Sequence, residues 1–303
     1  MKKETEKQEK YRTRKQENIK YKSKIYTEFR RKLIQIAAFG YSNLYLGNFL
    51  SGKLYKGKWK QFCNPGMNCY SCPAATTACP IGAMQAVNGS VNFKTSFYVW
   101  GIILAFGVIF GRAICGFLCP FGLIQELLHK IPFPKKKLWK GFTWIKYILL
   151  VVFVLVMPVV KTNIVGSGAP AFCEYICPVG TLEGGIPLLT THPELRRIIG
   201  NLFSLKLAIL IVTIVGCMSI CRFFCKVMCP LGAIYGILNK VSIFHMEFQE
   251  SKCVDCGRCK SVCPMDVNPV KTPDSAECIR CGKCVGVCNA DALKLTMKCG
   301  KIE

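Results

Sequence analysis

The chain has 303 residues, 41 Lys and Arg against 17 Asp and Glu, a formal net charge of +24, and 51% hydrophobic residues. So basic a balance would suit a nucleic-acid binder, but the apolar fraction, with positive charge set beside apolar runs, is the habit of membrane proteins. Its 21 cysteines sit in a chain too long for a small secreted disulfide scaffold, and their C-x2-C and C-x3-C spacings argue for metal thiolates in a reducing compartment.

Residues 1–32 hold 13 Lys and Arg against five Glu. They read as a basic cytoplasmic tail, loosely helical or lying on anionic headgroups, and not as an apolar secretory leader. With no folded reader beside it, no nucleic-acid partner is expected. Four uncharged runs follow: 33–52, 95–111, 147–160 and 207–221. A bilayer core of about 30 Å needs roughly 17–25 helical residues, so the last two are short. Lys146, Lys161, Lys206 and Arg222 at their ends are expected to snorkel outward, with Phe142, Trp144, Tyr147 and Phe203 as interface anchors. The competing reading is buried core helices; the Lys and Arg flanks favour four transmembrane helices. Lys and Arg number 32 in the tail, the 112–146 loop and 222–303, against nine in the two alternate loops. The positive-inside rule then puts both termini in the cytoplasm of a cytoplasmic-membrane protein.

A short motif recurs at the ends of these runs: Cys79-Pro-Ile-Gly82, Cys119-Pro-Phe-Gly122, Cys177-Pro-Val-Gly180 and Cys229-Pro-Leu-Gly232. Cys115, Cys173 and Cys225 each precede one by four residues, a spacing that shares one face of a helix. The proline turns the chain and starts a new helix, whose free N–H groups favour a negative ligand. Residues 111–122 align without gaps to 221–232, so Cys115, Cys119, Cys225 and Cys229 are expected to share one inner cluster. Arg112 and Arg222 are read as interface markers, or as cations that favour the reduced cluster. Loops expected to face outward hold Cys63, Cys69, Cys72, Cys79, Cys173 and Cys177: one cluster with two spare thiols, or one cluster and a disulfide. Cys217, Cys221, Cys225 and Cys229 recur every four residues, as on one helical stripe. Cys217 and Cys299 read as small buried hydrophobes.

The C-terminal stretch carries two runs of C-x2-C-x2-C-x3-C, Cys253/Cys256/Cys259/Cys263 and Cys278/Cys281/Cys284/Cys288. That is the bacterial ferredoxin spacing for [4Fe–4S] clusters, in which the fourth cysteine of each run serves the other cluster. Cys253, Cys256, Cys259 and Cys288 would hold one cluster, and Cys278, Cys281, Cys284 and Cys263 the second. Zinc usually takes two ligands from each knuckle, not three from one run. Asn289 stands where the motif usually has proline. The fold class expected is a membrane α-helical part of four spans (33–245) plus an α+β two-[4Fe–4S] ferredoxin domain (246–303), with one or two further clusters in the membrane part.

The spans, the C-x3-C-P pairs at 115/119 and 225/229, and the tandem runs resemble the NapH/MauN-type membrane polyferredoxins over roughly residues 90–290. The resemblance implies a 4Fe–4S electron carrier working between the quinone pool or cytoplasmic carriers and a partner redox enzyme, the best known beside periplasmic nitrate reductase. The 63–79 loop and the 173/177 pair depart from that pattern. An electron-transfer subunit is therefore expected, with a bilayer, a redox partner protein and a quinone as partners, rather than a stand-alone enzyme. The uncharged runs hold no acid, which argues against a proton pump. None of His129, His192 and His245 lies in a run, which argues against a bis-His haem. A transmembrane thiol–disulfide reductant acting through Cys69 and Cys72, and an assembly factor for a metal enzyme, are the alternatives.

Overall fold

The computed structural model describes residues 28–88, 96–161 and 169–297. Cys299 and residues 1–27 of the expected tail lie outside them. Helix α1 (28–42) ends well before residue 52, so the first apolar run is not one uninterrupted helix. Polar groups stop it. Ser42 Oγ donates to the Ala38 carbonyl and Asn43 Nδ2 to that of Phe39. The freed Ser42 groups accept from the loop beyond: Asn64 Nδ2 on Oγ at 2.8 Å, Asn68 Nδ2 and Thr76 Oγ1 on the carbonyl at 3.1 and 3.0 Å.

Helices α2 (Pro80–Asn88) and α3 (Ser96–Phe110) follow, and α3 matches the second apolar run closely. Two short helices come next, α4 (Ala113–Phe117) and α5 (Pro120–Leu128). Helix α6 (Lys140–Val160) widens to π-type turns over Leu150–Val156. A continuous helical stretch α7 spans 178–191, and α8 covers Asn201–Ser219. Both α6, of 21 residues, and α8, of 19, are long and apolar enough to cross a membrane. Each outer face is bare: Ile148, Val151, Val156, Ile211 and Val212 are exposed, as lipid-facing side chains are.

Both helices begin before the apolar segments that signalled them, because Lys146 and Lys206, expected to snorkel outward, turn inward, whereas Lys161 stays exposed. Lys146 is fully buried and pairs with Glu277. Lys206 Nζ donates to the Cys173 carbonyl at 3.3 Å. Arg222 is also fully buried. Helix α8 stops at Ser219, and Arg222 adopts a left-handed φ of 54° before α9 (Phe223–Val227) begins. Cys217, Cys221, Cys225 and Cys229 therefore do not form one helical stripe.

After α10 (Pro230–Leu238), strands β1 (Phe244–Phe248) and β2 (Leu293–Met297) pair antiparallel, Phe244 opposite Met297 and Phe248 opposite Leu293. They bracket both cysteine runs. This unit docks tightly on the helices. Asn239 Nδ2 donates to the carbonyls of Ser275 and Cys278, and its Oδ1 accepts from the Arg112 backbone N–H. Glycines permit the approach. A Cβ on Gly116 would lie 2.7 Å from the Ile279 carbonyl oxygen, and one on Gly236 2.9 Å from that of Ala276. Gly116→Ala is expected to push the 276–281 segment away and lower stability by roughly 1–3 kcal/mol, as overpacking does. Thermal unfolding in detergent measures it; an unchanged midpoint would contradict close docking at Gly116.

Candidate metal centres

The ferredoxin-type runs fold as two copies of one turn. Asp255 and Gly257 in the first run, and Arg280 and Gly282 in the second, have φ between 47° and 76°. Alternation of this kind aims successive N–H groups into one anion-binding concavity. Cys253, Cys256 and Cys259 line a cavity of about 390 Å³ together with Cys288 from the other run. Cys278, Cys281 and Cys284 line a second with Cys263. The first set reaches solvent through exposed Cys256, whereas Cys278 and Cys284 are buried. Asn289 leaves the turn unchanged. Asp266 and Asp291, each three residues past a run's last cysteine, share φ of 56° and 51°. Val267 and Ala292 each direct a backbone N–H to that cysteine's sulfur.

In the helical part, the Cys-Pro cysteines are not interior helix residues. Cys119, Cys177 and Cys229 are each an N-cap with ψ of 115°, 109° and 110°, while Cys115, Cys173 and Cys225 lie in the preceding helical turn. The expected i, i+4 helical pair is thus a helical residue plus the cap of a new helix. Proline promotes this by disfavouring the helical conformation at the residue before it. In all four copies the motif's glycine N–H points at its own cysteine's sulfur: Gly82, Gly122, Gly180 and Gly232, the last at 3.3 Å.

Two groups of thiols result. Cys115, Cys119, Cys225 and Cys229 interact electrostatically with one another. So do Cys69, Cys79, Cys173 and Cys177. Cys69 faces Gly180, whose Cβ would lie 3.7 Å from its sulfur, and Gly82 bears the same relation to Cys173 at 3.8 Å. Of the six loop thiols, Cys72 turns its Sγ to Asn43 Oδ1 at 3.9 Å, while Cys63, at a bridge to Ala78, interacts electrostatically with Cys79 of the second group. Among the described residues no three His, Cys, Asp or Glu converge as ligands of a single ion do. A cubane takes one thiolate at each of four iron corners, so four neighbouring thiols suit it better than a single ion. Burial pushes Cys115 up to about 11, against the opposing pull of Arg112 and Arg222, and pushes Cys119 up to about 12 with neighbouring thiols acting the same way. A bound positive metal would favour the thiolate form.

The two groups are not at opposite ends of the fold. A Cβ on Gly66 would lie 2.8 Å from the Cys119 Cα, and the Met67 N–H points at the Cys119 sulfur. Tyr235, fully buried, has Cys115, Cys119 and Cys229 on one side and Cys79 on another. The 53–94 loop, expected to face outward, packs against the helices, with Ser42 anchoring it where α1 ends.

Arg112 and Arg222 are not interface markers. Each is buried and crosses to the other half: Arg112 donates to the Cys225 carbonyl and pairs with Glu277, and Arg222 donates to the Cys115 carbonyl and pairs with Glu126. Arg31 joins the same carboxylate at 2.8 Å and donates to the Gly116 carbonyl. Sequence reading also missed the sixth residue after each Cys-Pro cysteine. It is Gln85, Gln125, Glu183 or Tyr235, buried in every case. Gln85 and Gln125 donate to the sulfurs of Cys173 and Cys225 at 3.3 and 3.1 Å. Glu183 accepts from the Cys69 N–H at 2.9 Å, and burial lifts its carboxyl to about 7. Extending the motif alignment by three residues reveals this polar position inside an apolar stretch. The three histidines sit against backbone carbonyls, His129 on Cys217, His192 on Gly52 and His245 on Ile243.

The 4Fe-4S binding domain family matches residues 95–140 and 143–186, and the LdpA Fe-S cluster-binding domain family matches 217–274. An uncharacterized protein of Methanocaldococcus jannaschii is 31% identical over 200 residues, 64% of this chain and 76% of the relative. The chain belongs to the same family as this archaeal protein, and its matched segments are of iron–sulfur-binding type. A second protein of that organism is 30% identical over 186 residues, 58% of this chain and 60% of the relative. The methylamine utilization ferredoxin-type protein MauN of Methylorubrum extorquens is 26% identical over 166 residues, 54% of this chain and 50% of its own length. This chain thus spans less than two thirds of some of its relatives. The second 4Fe-4S match contains Cys173 and Cys177, so the pair that seemed a departure lies inside the family's repeat. No solved structure matches.

Proposed function

We propose that the chain is a membrane-integral electron wire of the NapH/MauN type, with four [4Fe–4S] centres relaying electrons between a cytoplasmic donor and a quinone or a redox partner. Two centres belong to the ferredoxin part (246–303) and two to a four-span part (33–245), both termini being cytoplasmic. The observation that carries this reading is one continuous core. Cys115, Cys119 and Cys229 share it with Cys79 and Cys177, and Cys69, Cys173, Cys263 and Cys281 pack against it. Cysteines of three groups thus belong to one packed core. The fourth, Cys253/Cys256/Cys259/Cys288, sits beside the third and alone has an exposed cysteine, Cys256, which suits it to a soluble donor.

A bound cubane supplies reversible one-electron transfer. The chain's own residues supply the thiolates, exclude water and fix spacing. Gly116 and Gly236 let the 276–281 segment approach, and Arg112 and Lys146 hold it through Glu277. The alternative of a disulfide cycle at Cys69 and Cys72, which pack in one small cluster, is separated from this reading by thiol trapping: redox-dependent labelling of that pair favours the disulfide. Anaerobically purified protein is expected to carry about 16 iron atoms, with matching acid-labile sulfide and EPR signals on reduction. Colourless protein holding zinc would overturn the reading.

A further inference from the structure

We infer that the sixth residue after a Cys-Pro cysteine tunes the reduction potential of its centre: Gln125 for the Cys115/Cys119/Cys225/Cys229 group, Gln85 for the Cys69/Cys79/Cys173/Cys177 group. The inference rests on the reading that each group holds a cubane. Both amides are fully buried, and both are oriented by the backbone. Gln125 Oε1 accepts from the Cys225 N–H at 3.4 Å and faces the Cys217 thiol at 3.7 Å, which leaves Nε2 to donate to Cys225 Sγ at 3.1 Å and to the Phe121 carbonyl. Gln85 repeats the arrangement in the other group. Its Oε1 accepts from the Phe172 N–H at 2.8 Å, and Nε2 donates to Cys173 Sγ at 3.3 Å and to the Ile81 carbonyl. An amide flip would set oxygen against sulfur and lose the backbone N–H, so the network fixes the donor.

In each group the donor comes from one Cys-Pro helix and reaches the first cysteine of the facing pair. The facing helix carries Glu183 or Tyr235 at the same position, and neither donates to a sulfur. Glu183 accepts from Cys69, and Tyr235 Oη donates to the Pro65 carbonyl at 3.0 Å. Each group therefore has one side-chain N–H on sulfur from this position. A donor on a ligand sulfur favours the more negative, reduced form, and hydrogen bonds to sulfur are a recognised control on cluster potential. Gln125 and Gln85 are positioning residues in this sense, since they act through the thiolate.

The test is an EPR-monitored redox titration of the full-length, anaerobically purified protein and its Gln125→Met and Gln85→Met variants. Cys229→Ser and Cys177→Ser identify the signal of each group. Gln125→Met is expected to keep full iron and sulfide and to lower the reduced-to-oxidised ratio of the first group's signal about tenfold at fixed poise, or 59 mV for one electron. Gln85→Met should move only the second group's signal. Unmoved potentials with full iron would overturn the inference, as would loss of iron from the variants, which would make the glutamines structural. Wild-type protein lacking any signal removed by the cysteine variants would instead sink the cluster reading, and iron analysis tells the two failures apart.

Discussion

Cys229→Ser is expected to remove one centre outright, taking bound iron from about 16 to about 12 atoms per chain and deleting one EPR signal. Cys229 caps α10, is buried, and holds its sulfur under the Gly232 N–H beside Cys115, Cys119 and Cys225. No other thiol of the described residues is positioned to replace it: Cys217 faces Gln125 rather than the group's centre, and Cys221 lies past the end of α8. A serine hydroxyl is shorter and far harder to ionise in so dry a site, so it does not substitute. Cys217→Ser and Cys72→Ser serve as controls and should keep the full iron content. If Cys229→Ser kept its iron, or Cys217→Ser lost it, the assignment of this group would be wrong.

Glu126→Gln is expected to destabilise the fold by about 3–5 kcal/mol, the cost of leaving buried charge unpaired. Glu126 pairs with two fully buried guanidiniums, Arg31 at 2.8 Å and Arg222 at 2.6 Å. These tie α1 and the start of α9 to α5, and through the Gly116 and Cys115 carbonyls to the turn carrying Cys115. Burial alone would raise the Glu126 carboxyl, but Arg222 and Arg31 outweigh it and hold it at about 2 against an ordinary 4.5. A carboxyl depressed by folding lends stability that is complete above its unfolded value and lost as pH falls toward its folded one. Wild-type stability in detergent should therefore decline between pH 4.5 and about 2 through this group. Glu126→Gln should lose that part of the pH dependence and be less stable already at neutral pH. Equal melting of the two proteins at pH 7 would count against the buried cluster.

Much of the site could be read along the chain. The C-x2-C-x2-C-x3-C runs and the Cys-Pro-x-Gly copies announce themselves because a proline or a left-handed glycine is a local backbone requirement. The chemistry of Cys115, Cys119, Cys225 and Cys229 follows from two segments that align without gaps. Long apolar helices were legible too, though their ends were not. Counting uncharged residues shortened α6 and α8, since Lys146 and Lys206 find their partners on distant segments.

By itself, then, the sequence determined the thiol inventory, the turns that present it and the apolar helices around it, all settled by neighbours a few residues apart. Only the tertiary structure brings Cys69, Cys79, Cys173 and Cys177 together, packs the 63–72 loop against Cys119, and sends Arg112 and Arg222 across between halves. Those outcomes depend on where α1 stops and which carboxylate meets which buried cation. Such pairings link residues about a hundred positions apart, as Arg222 and Glu126 are, and no local spacing encodes them.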